Sequence, residues 1–222
     1  MELHFEKLAG YLSLYLTGIE VTLQFTIGSW ILGFLLGFII ALIKVSKFRI
    51  LKLVTQFYTS IFRGTPQLVQ LFIIYYATPQ LIGYEITAFQ AAVLAFGLNS
   101  AAYISEILRG GIQAIDYGQT EAALSLGISY PRLMCGVILP QTLKNVLPGL
   151  VNESISLMKS SSLVAVIGVM DIMRAAQTIQ NRLFIAFEPL LVAAAIYYVM
   201  VMAMTALSNR LERRIKVSDK GN

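Results

Sequence analysis

The sequence has almost none of the side chains from which metal centres, disulfides and nucleophilic active sites are built. Cys135 is the only cysteine and His4 the only histidine, which excludes an intramolecular disulfide and any cysteine- or histidine-based zinc cluster. Without a second histidine there is no serine, histidine and acid set outside the N-terminus, so neither a catalytic residue nor a metal ligand is assigned. A GxxxxGKS or GxxxxGKT phosphate loop is also missing, so the chain has no cradle of this kind for ATP phosphates and cannot hydrolyse ATP alone. Charge is scarce as well. Only 13% of residues are charged against 57% hydrophobic, too little polar surface to cover a soluble domain of this size.

Long apolar runs take the place of that polar surface. A helix needs roughly 20 apolar residues to cross a hydrocarbon core of about 30 Å, and five segments approach that length: residues 19–43, 54–78, 88–108, 137–158 and 189–208. The first, third and fifth are uninterrupted. The second carries Arg63, Gly64 and Pro66, and the fourth carries Pro140, Pro148 and Glu153, so both read as interrupted. The first run is too long for the apolar core of a signal peptide and reads as a retained span. The fold class expected is therefore all-α integral membrane, with residues 1–222 as one transmembrane domain of five helices.

The net charge of +5 fits membrane orientation better than nucleic-acid binding, because the cations cluster in alternate loops. Lys44, Lys47, Arg49 and Lys52 follow the first span, Arg109 and Arg132 the third, and Arg210, Arg213, Arg214, Lys216 and Lys220 the fifth. Lys7, Arg174 and Arg182 fall on the other side. The asymmetry places the N-terminus outside and the C-terminus in the cytoplasm, as an odd number of spans requires.

The loop of residues 109–136 is long enough to hold structure of its own. Gly118 reads as a break, Gln119–Leu126 as a short helix with Ala122, Ala123 and Leu126 on one face, and Gly127 and the pre-proline Tyr130 as its end. Glu121 near its start suits the helix dipole. Such a helix lying at the membrane surface is either a structured interfacial loop or a knob for a groove in a soluble partner.

EAALSLG at Glu121–Gly127, followed after nine residues by VILP at Val137–Pro140, is similar to the EAA loop of type I ABC importer permeases; Val137 stands where isoleucine is usual. RGTPQLVQLF (63–72), NSAAYISEILRGGIQAIDYGQTEAA (99–123) and NESISLMKSSSLVAVIGV (152–169) resemble the polar amino-acid branch of those permeases, the histidine, glutamine and arginine type. The resemblance implies a permease-like fold with a cytoplasmic coupling helix. Glu121, Ala122, Ala123, Gly127 and Pro140 then serve ATPase coupling. It also implies partners: ATP-binding cassette ATPase subunits that hold ATP and magnesium, a second permease chain, identical or not, and an extracytoplasmic amino-acid-binding protein. The setting is a bacterial cytoplasmic membrane. The expected function is amino-acid uptake by alternating access, with an ion-gradient-driven secondary amino-acid transporter as the alternative.

Ionisable residues within the bilayer are costly and need a partner or a water-lined cavity. If the fourth span starts near Pro140, Glu153 lies roughly 20 Å in, near the membrane middle. It is a candidate to pair with a substrate ammonium or basic side chain, against an internal bridge to Lys159 or interhelical hydrogen bonding. Asn99 and Tyr103 share one helix face, Gln67 follows the Gly64–Pro66 interruption, and Asn152 precedes Glu153. Each is either a ligand contact or a polar group joining helices. Glu106 is assigned to an ordinary ion pair with Arg109, and Gly28, Gly33 and Gly37 to close helix packing.

Overall fold

The computed structural model describes residues 4–217, with side chains through residue 210. Arg213, Arg214, Lys216 and Lys220, part of the orientation argument, lie outside the residues with described side chains. Every described element is helical. This is the expected outcome in lipid, where a helix satisfies each backbone group within its own segment.

A short 3-10 turn, Phe5–Tyr11, leads into α1 (Leu12–Val45). The continuous helical stretch Phe5–Val45 thus begins well before residue 19, where the apolar run starts, because Tyr15, Gly18 and the 3-10 turn pack on the rest of the molecule rather than fray. The buried stripe of α1 consists of small and polar residues, including Gly18, Thr22, Thr26, Ser29, Gly33, Gly37 and Ala41. Large apolar side chains such as Leu16, Ile27, Ile31, Leu35 and Ile39 point outward. This inverted pattern is that of a helix solvated by lipid and packed through small residues.

α5 (Ala88–Gln113) receives that stripe. A Cβ added to Gly33 would lie 2.8 Å from the Ser100 Cβ, and one added to Gly37 would lie 2.9 Å from the Ala101 carbonyl oxygen. Gly28 is looser, its nearest neighbour being Val93 at 3.5 Å. The close approach of the two backbones makes α5 the central element, with Ala91, Ala95, Phe96, Ala101, Ile104 and Leu108 all buried. Its start is fixed by a capping box in which Thr87 and Gln90 exchange hydrogen bonds.

Between α1 and α5 the expected second span is divided. α2 (Arg49–Gly64) ends at Thr65, whose extended backbone is what a following proline imposes. α3 (Gln67–Phe72) restarts at once, passes through a π turn at Ile73–Ala77, and continues as α4 (Thr78–Ile82), which stops at the left-handed Gly83. None of these pieces alone is long enough to span. Four helical stretches are long and apolar enough among the described residues: Phe5–Val45, Ala88–Gln113, Tyr130–Ile167 and Phe187–Arg210.

The loop after α5 folds into α6 (Tyr117–Ser125) and α7 (Tyr130–Leu133). α6 begins two residues earlier than expected, because the Asp116 carboxylate accepts from the Gly118 N–H at 2.8 Å and caps the helix before the glycine. It ends at Gly127, which is left-handed and lets the Ile128 N–H reach back to the Ala123 carbonyl at 3.0 Å. A π turn at Met134–Ile138 joins α7 to α8 (Leu139–Ser160), which carries Pro148 in its interior. A 3-10 segment, Ser161–Ile167, then precedes α9 (Ile172–Leu183), and α10 (Phe187–Val217) closes the chain. α9 is an element not foreseen from the sequence. It buries Ile172, Ala175, Ala176 and Ile179 against α1 and α10 and leaves Arg174, Asn181 and Arg182 outside.

A polar cavity beside a broken helix

The break between α2 and α3 leaves carbonyls without helical partners, and a cluster of amides supplies them. The Asn99 Nδ2 group of α5 donates to the Phe62 carbonyl at 2.8 Å and to Gln70 Oε1 at 2.9 Å. Gln70 Nε2 donates to the Phe62 carbonyl at 2.9 Å and to Thr65 Oγ1 at 2.7 Å. Gln67 Nε2 completes the cluster by donating to Asn99 Oδ1 at 3.2 Å. A buried carbonyl without a donor costs about 1–3 kcal/mol, so this arrangement is what allows the chain to break inside the helical body.

One cavity of about 330 Å³ opens beside the break, lined by Thr65, Gln67, Asn99, Tyr103, Glu153, Ser156 and Leu157. It brings together four of the five residues singled out from the sequence as substrate contacts. Asn152 is the exception: it is exposed and is not part of the wall, being one residue, and so about 100° of helix, away from Glu153. The ring of Tyr103 is held under the Arg63 guanidinium, 5.3 Å from its centroid.

Glu153 has no ion pair among the described residues, so the bridge to Lys159 weighed above does not form. The carboxyl group therefore has no countercharge among the described residues. Asn99 is differently placed. Both of its N–H donors are committed to the break, and its oxygen accepts from Gln67. The residues with spare hydrogen-bonding capacity toward the cavity are therefore Glu153, Gln67, Tyr103 and Ser156. Ser156 and Thr65 were not singled out in the sequence, although Ser156 sits at i+3 from Glu153 on the same helix face. Gln70, the fully packed member of the amide cluster, left no signal beyond its place after a proline.

At the α6 end, Glu106 does pair with Arg109, whose Nε and Nη2 donate to Glu106 Oε2 at 2.9 and 2.7 Å. Its other oxygen is taken by Lys44 of α1, which is buried and also reaches Thr59 Oγ1 of α2 at 3.0 Å. The pair expected within one helix is thus a junction of three. On α6, Glu121 and Ala122 are exposed, as are Gly127 just past its end and Pro140 of α8. Ala123 is buried against Leu133 and Ile138. Reciprocal amide bonds between Gln119 and Gln141, at 2.6 and 3.2 Å, fasten α6 to α8.

At the opposite end, Asp171 is completely buried and caps α9 through the Met173 and Arg174 N–H groups at 3.2 and 2.9 Å. It also accepts from Tyr197 Oη at 2.8 Å. Burial pushes the Asp171 carboxyl above the usual carboxylate range, against the lowering effect of these donors.

An all-helical, lipid-solvated body with a polar cavity beside a discontinuous helix defines a membrane transport subunit. The chain belongs to the family of binding-protein-dependent transport system inner membrane components, whose sequence model matches residues 33–217. It is a multi-pass inner-membrane permease component of an ABC transporter and not itself an enzyme; the family implies an ATPase subunit that binds ATP and a binding protein. This sets aside the ion-gradient alternative. The chain is 45% identical, over 99% of its length and 100% of the relative's, to the arginine transport system permease protein ArtQ of Bacillus subtilis. It is 45% identical to the putative glutamine transport system permease protein GlnP of Rickettsia bellii, over 90% of this chain and 92% of that one. Among solved structures, an amino acid ABC transporter crystallised with histidines matches with a TM-score of 0.92 at 44% identity, covering 96% of this chain and all of that one. The MetNI methionine ABC transporter in an inward-facing conformation, at 19% identity and a TM-score of 0.77 over 93% of this chain and 98% of that one, shares the fold.

Proposed function

We propose that this permease carries a polar or basic amino acid, arginine, lysine or histidine before glutamine, and that Glu153 receives its cationic group. The supporting observation is the uncompensated Glu153 carboxylate on the wall of the cavity beside the broken helix. A carboxylate inside the membrane without a cationic partner is costly, and a ligand ammonium or guanidinium offsets that cost only while bound. Gln67, Tyr103 and Ser156 complete the ligand shell, Asn99 holds Gln67 in place, and Asn152 stays outside it. The names of the relatives, arginine and glutamine permeases among them, agree with a ligand that always carries an ammonium.

In the same reading α2, α3 and α4 together make the second of five spans, with the N-terminus outside and the α6 end in the cytoplasm of a bacterial cell. The chain works as half of a permease dimer, identical or mixed. α6 docks in the ATPase through Glu121, Ala122 and Gly127, while Ala123 anchors it to the body and Pro140 starts the attached span. ATPase closure then rocks the spans about the cavity.

The test is uptake of radiolabelled arginine, histidine and glutamine into proteoliposomes holding this chain with its ATPase and binding protein, with and without internal ATP. Glu153→Gln is expected to abolish ATP-driven uptake while ATPase activity remains. Unchanged uptake by Glu153→Gln would remove the carboxylate from the site, and uptake indifferent to ATP would overturn the coupling.

A further inference from the structure

We propose that a groove at the α6 end of the molecule binds one anionic phospholipid. The groove, of about 820 Å³, lies between the ends of α1 and α5 and the starts of α2 and α8, with α6 and α7 closing it. Leu42, Val45, Ile112, Leu124 and Leu143 give it an apolar wall, and no acidic residue lines it. Leu42 and Val45 are exposed and continue the outward apolar face of α1 formed by Leu35 and Ile39. An acyl chain therefore enters from the bilayer without crossing water.

The polar end of the groove is cationic. Lys44 and Lys52 line it. The charge of Lys44 is committed to Glu106, whereas Lys52 has no ion pair among the described residues. Lys47 and Arg49, both exposed, stand at the same junction of α1 and α2. A basic rim above an apolar slot between membrane helices matches a phosphate headgroup with its tail below. A neutral lipid leaves Lys52 unmatched, and a soluble anion leaves the slot unfilled.

Tyr117, Thr120 and Leu124, one face of α6, form part of the wall. The lipid thus supports α6 from the membrane side, with the exposed Ala122 on the opposite face of the helix and Glu121 at its flank.

The experiment places photoreactive benzoylphenylalanine at Ile112, inside the groove, and in a separate control at Leu35, on the open lipid face. The complete transporter is reconstituted in vesicles of equal phosphatidylglycerol and phosphatidylcholine, irradiated, and the adducts are weighed by mass spectrometry. One unpaired lysine at about 1 kcal/mol corresponds to about fivefold enrichment of phosphatidylglycerol at Ile112 over the Leu35 ratio. Lys52→Gln should bring the two positions to the same ratio, and Lys52→Arg should keep the enrichment. Equal ratios in the unmodified background, enrichment untouched by Lys52→Gln, or an adduct to a second permease chain or the ATPase would each overturn the assignment.

Discussion

The side-chain amide of Asn99 sits 2.8 Å from the Phe62 carbonyl and so acts as a cap for a helix to which it does not belong. The same residue passes that order on to Gln67 through its oxygen. A polar residue in the middle of a span thereby does two things at once: it makes the break in the neighbouring helix tolerable, and it aims an amide at the cavity.

Asn99 and Gln67 should separate in experiment for that reason. Asn99→Ala leaves the Phe62 carbonyl with one donor fewer and Gln70 Oε1 without its partner, a loss of about 1–3 kcal/mol, read as a lower unfolding temperature in detergent. Gln67→Ala removes a group with spare capacity and should weaken ligand binding at nearly unchanged stability. The reverse pattern would exchange the two roles.

The glycines of α1 should differ among themselves. Gly33→Ala forces a Cβ to within 2.8 Å of Ser100, whereas Gly28→Ala meets Val93 at an ordinary 3.5 Å. Overpacking of the first kind costs about 1–3 kcal/mol. Thermal unfolding should fall for Gly33→Ala and stay within error for Gly28→Ala.

The Lys44, Glu106 and Arg109 junction joins α1, α2 and α5. Lys44→Met leaves Glu106 with Arg109 alone, and Glu106→Gln leaves the buried Lys44 without a carboxylate; the second should be the more damaging, by up to about 3–5 kcal/mol if the ammonium stays buried. A double-mutant cycle should then show the pair strongly non-additive, with Lys44→Met recovering part of the loss caused by Glu106→Gln. Simple additivity would mean that the three helices are held by other contacts.

Asp171 gives a pH signature with a defined sign. Because burial raises its carboxyl in the folded chain, the native state holds a proton that the unfolded chain has already released. Stability therefore falls as pH rises from the ordinary carboxylate value through the raised one, and the cost is complete above it. The difference in stability between the native sequence and Asp171→Asn should drift against the native sequence across that window. A flat difference would show that the donors from Tyr197, Met173 and Arg174 cancel the burial.

Much of this was legible in the sequence, because membrane solvation writes a coarse pattern. Long apolar runs, the small residues Gly33 and Gly37 within one of them, and a proline after Thr65 each have one dominant physical meaning. The finer features depended on partners distant in the chain. Nothing local to Asn99 says that it caps α2, since the Phe62 carbonyl lies 37 residues away. Lys44 reads as a loop cation until Glu106 and Thr59 are folded against it. α9 leaves little trace in the sequence because its apolar positions are few and face neighbours on α1 and α10, and the early start of α6 comes from the Asp116 cap, which outweighs Gly118 as a break.

The Gln119 and Gln141 amide pair has a mechanical corollary. Gln141 and Glu153 lie on the same helix, twelve residues and therefore roughly 18 Å apart, with Pro148 between them. A proline in a helix interior removes one backbone bond and leaves a natural flexing point. α8 is thus a jointed lever: its short arm is bolted to the surface helix, its long arm carries the carboxylate, and a push at the first is delivered at the second as a change of tilt rather than a slide along the axis.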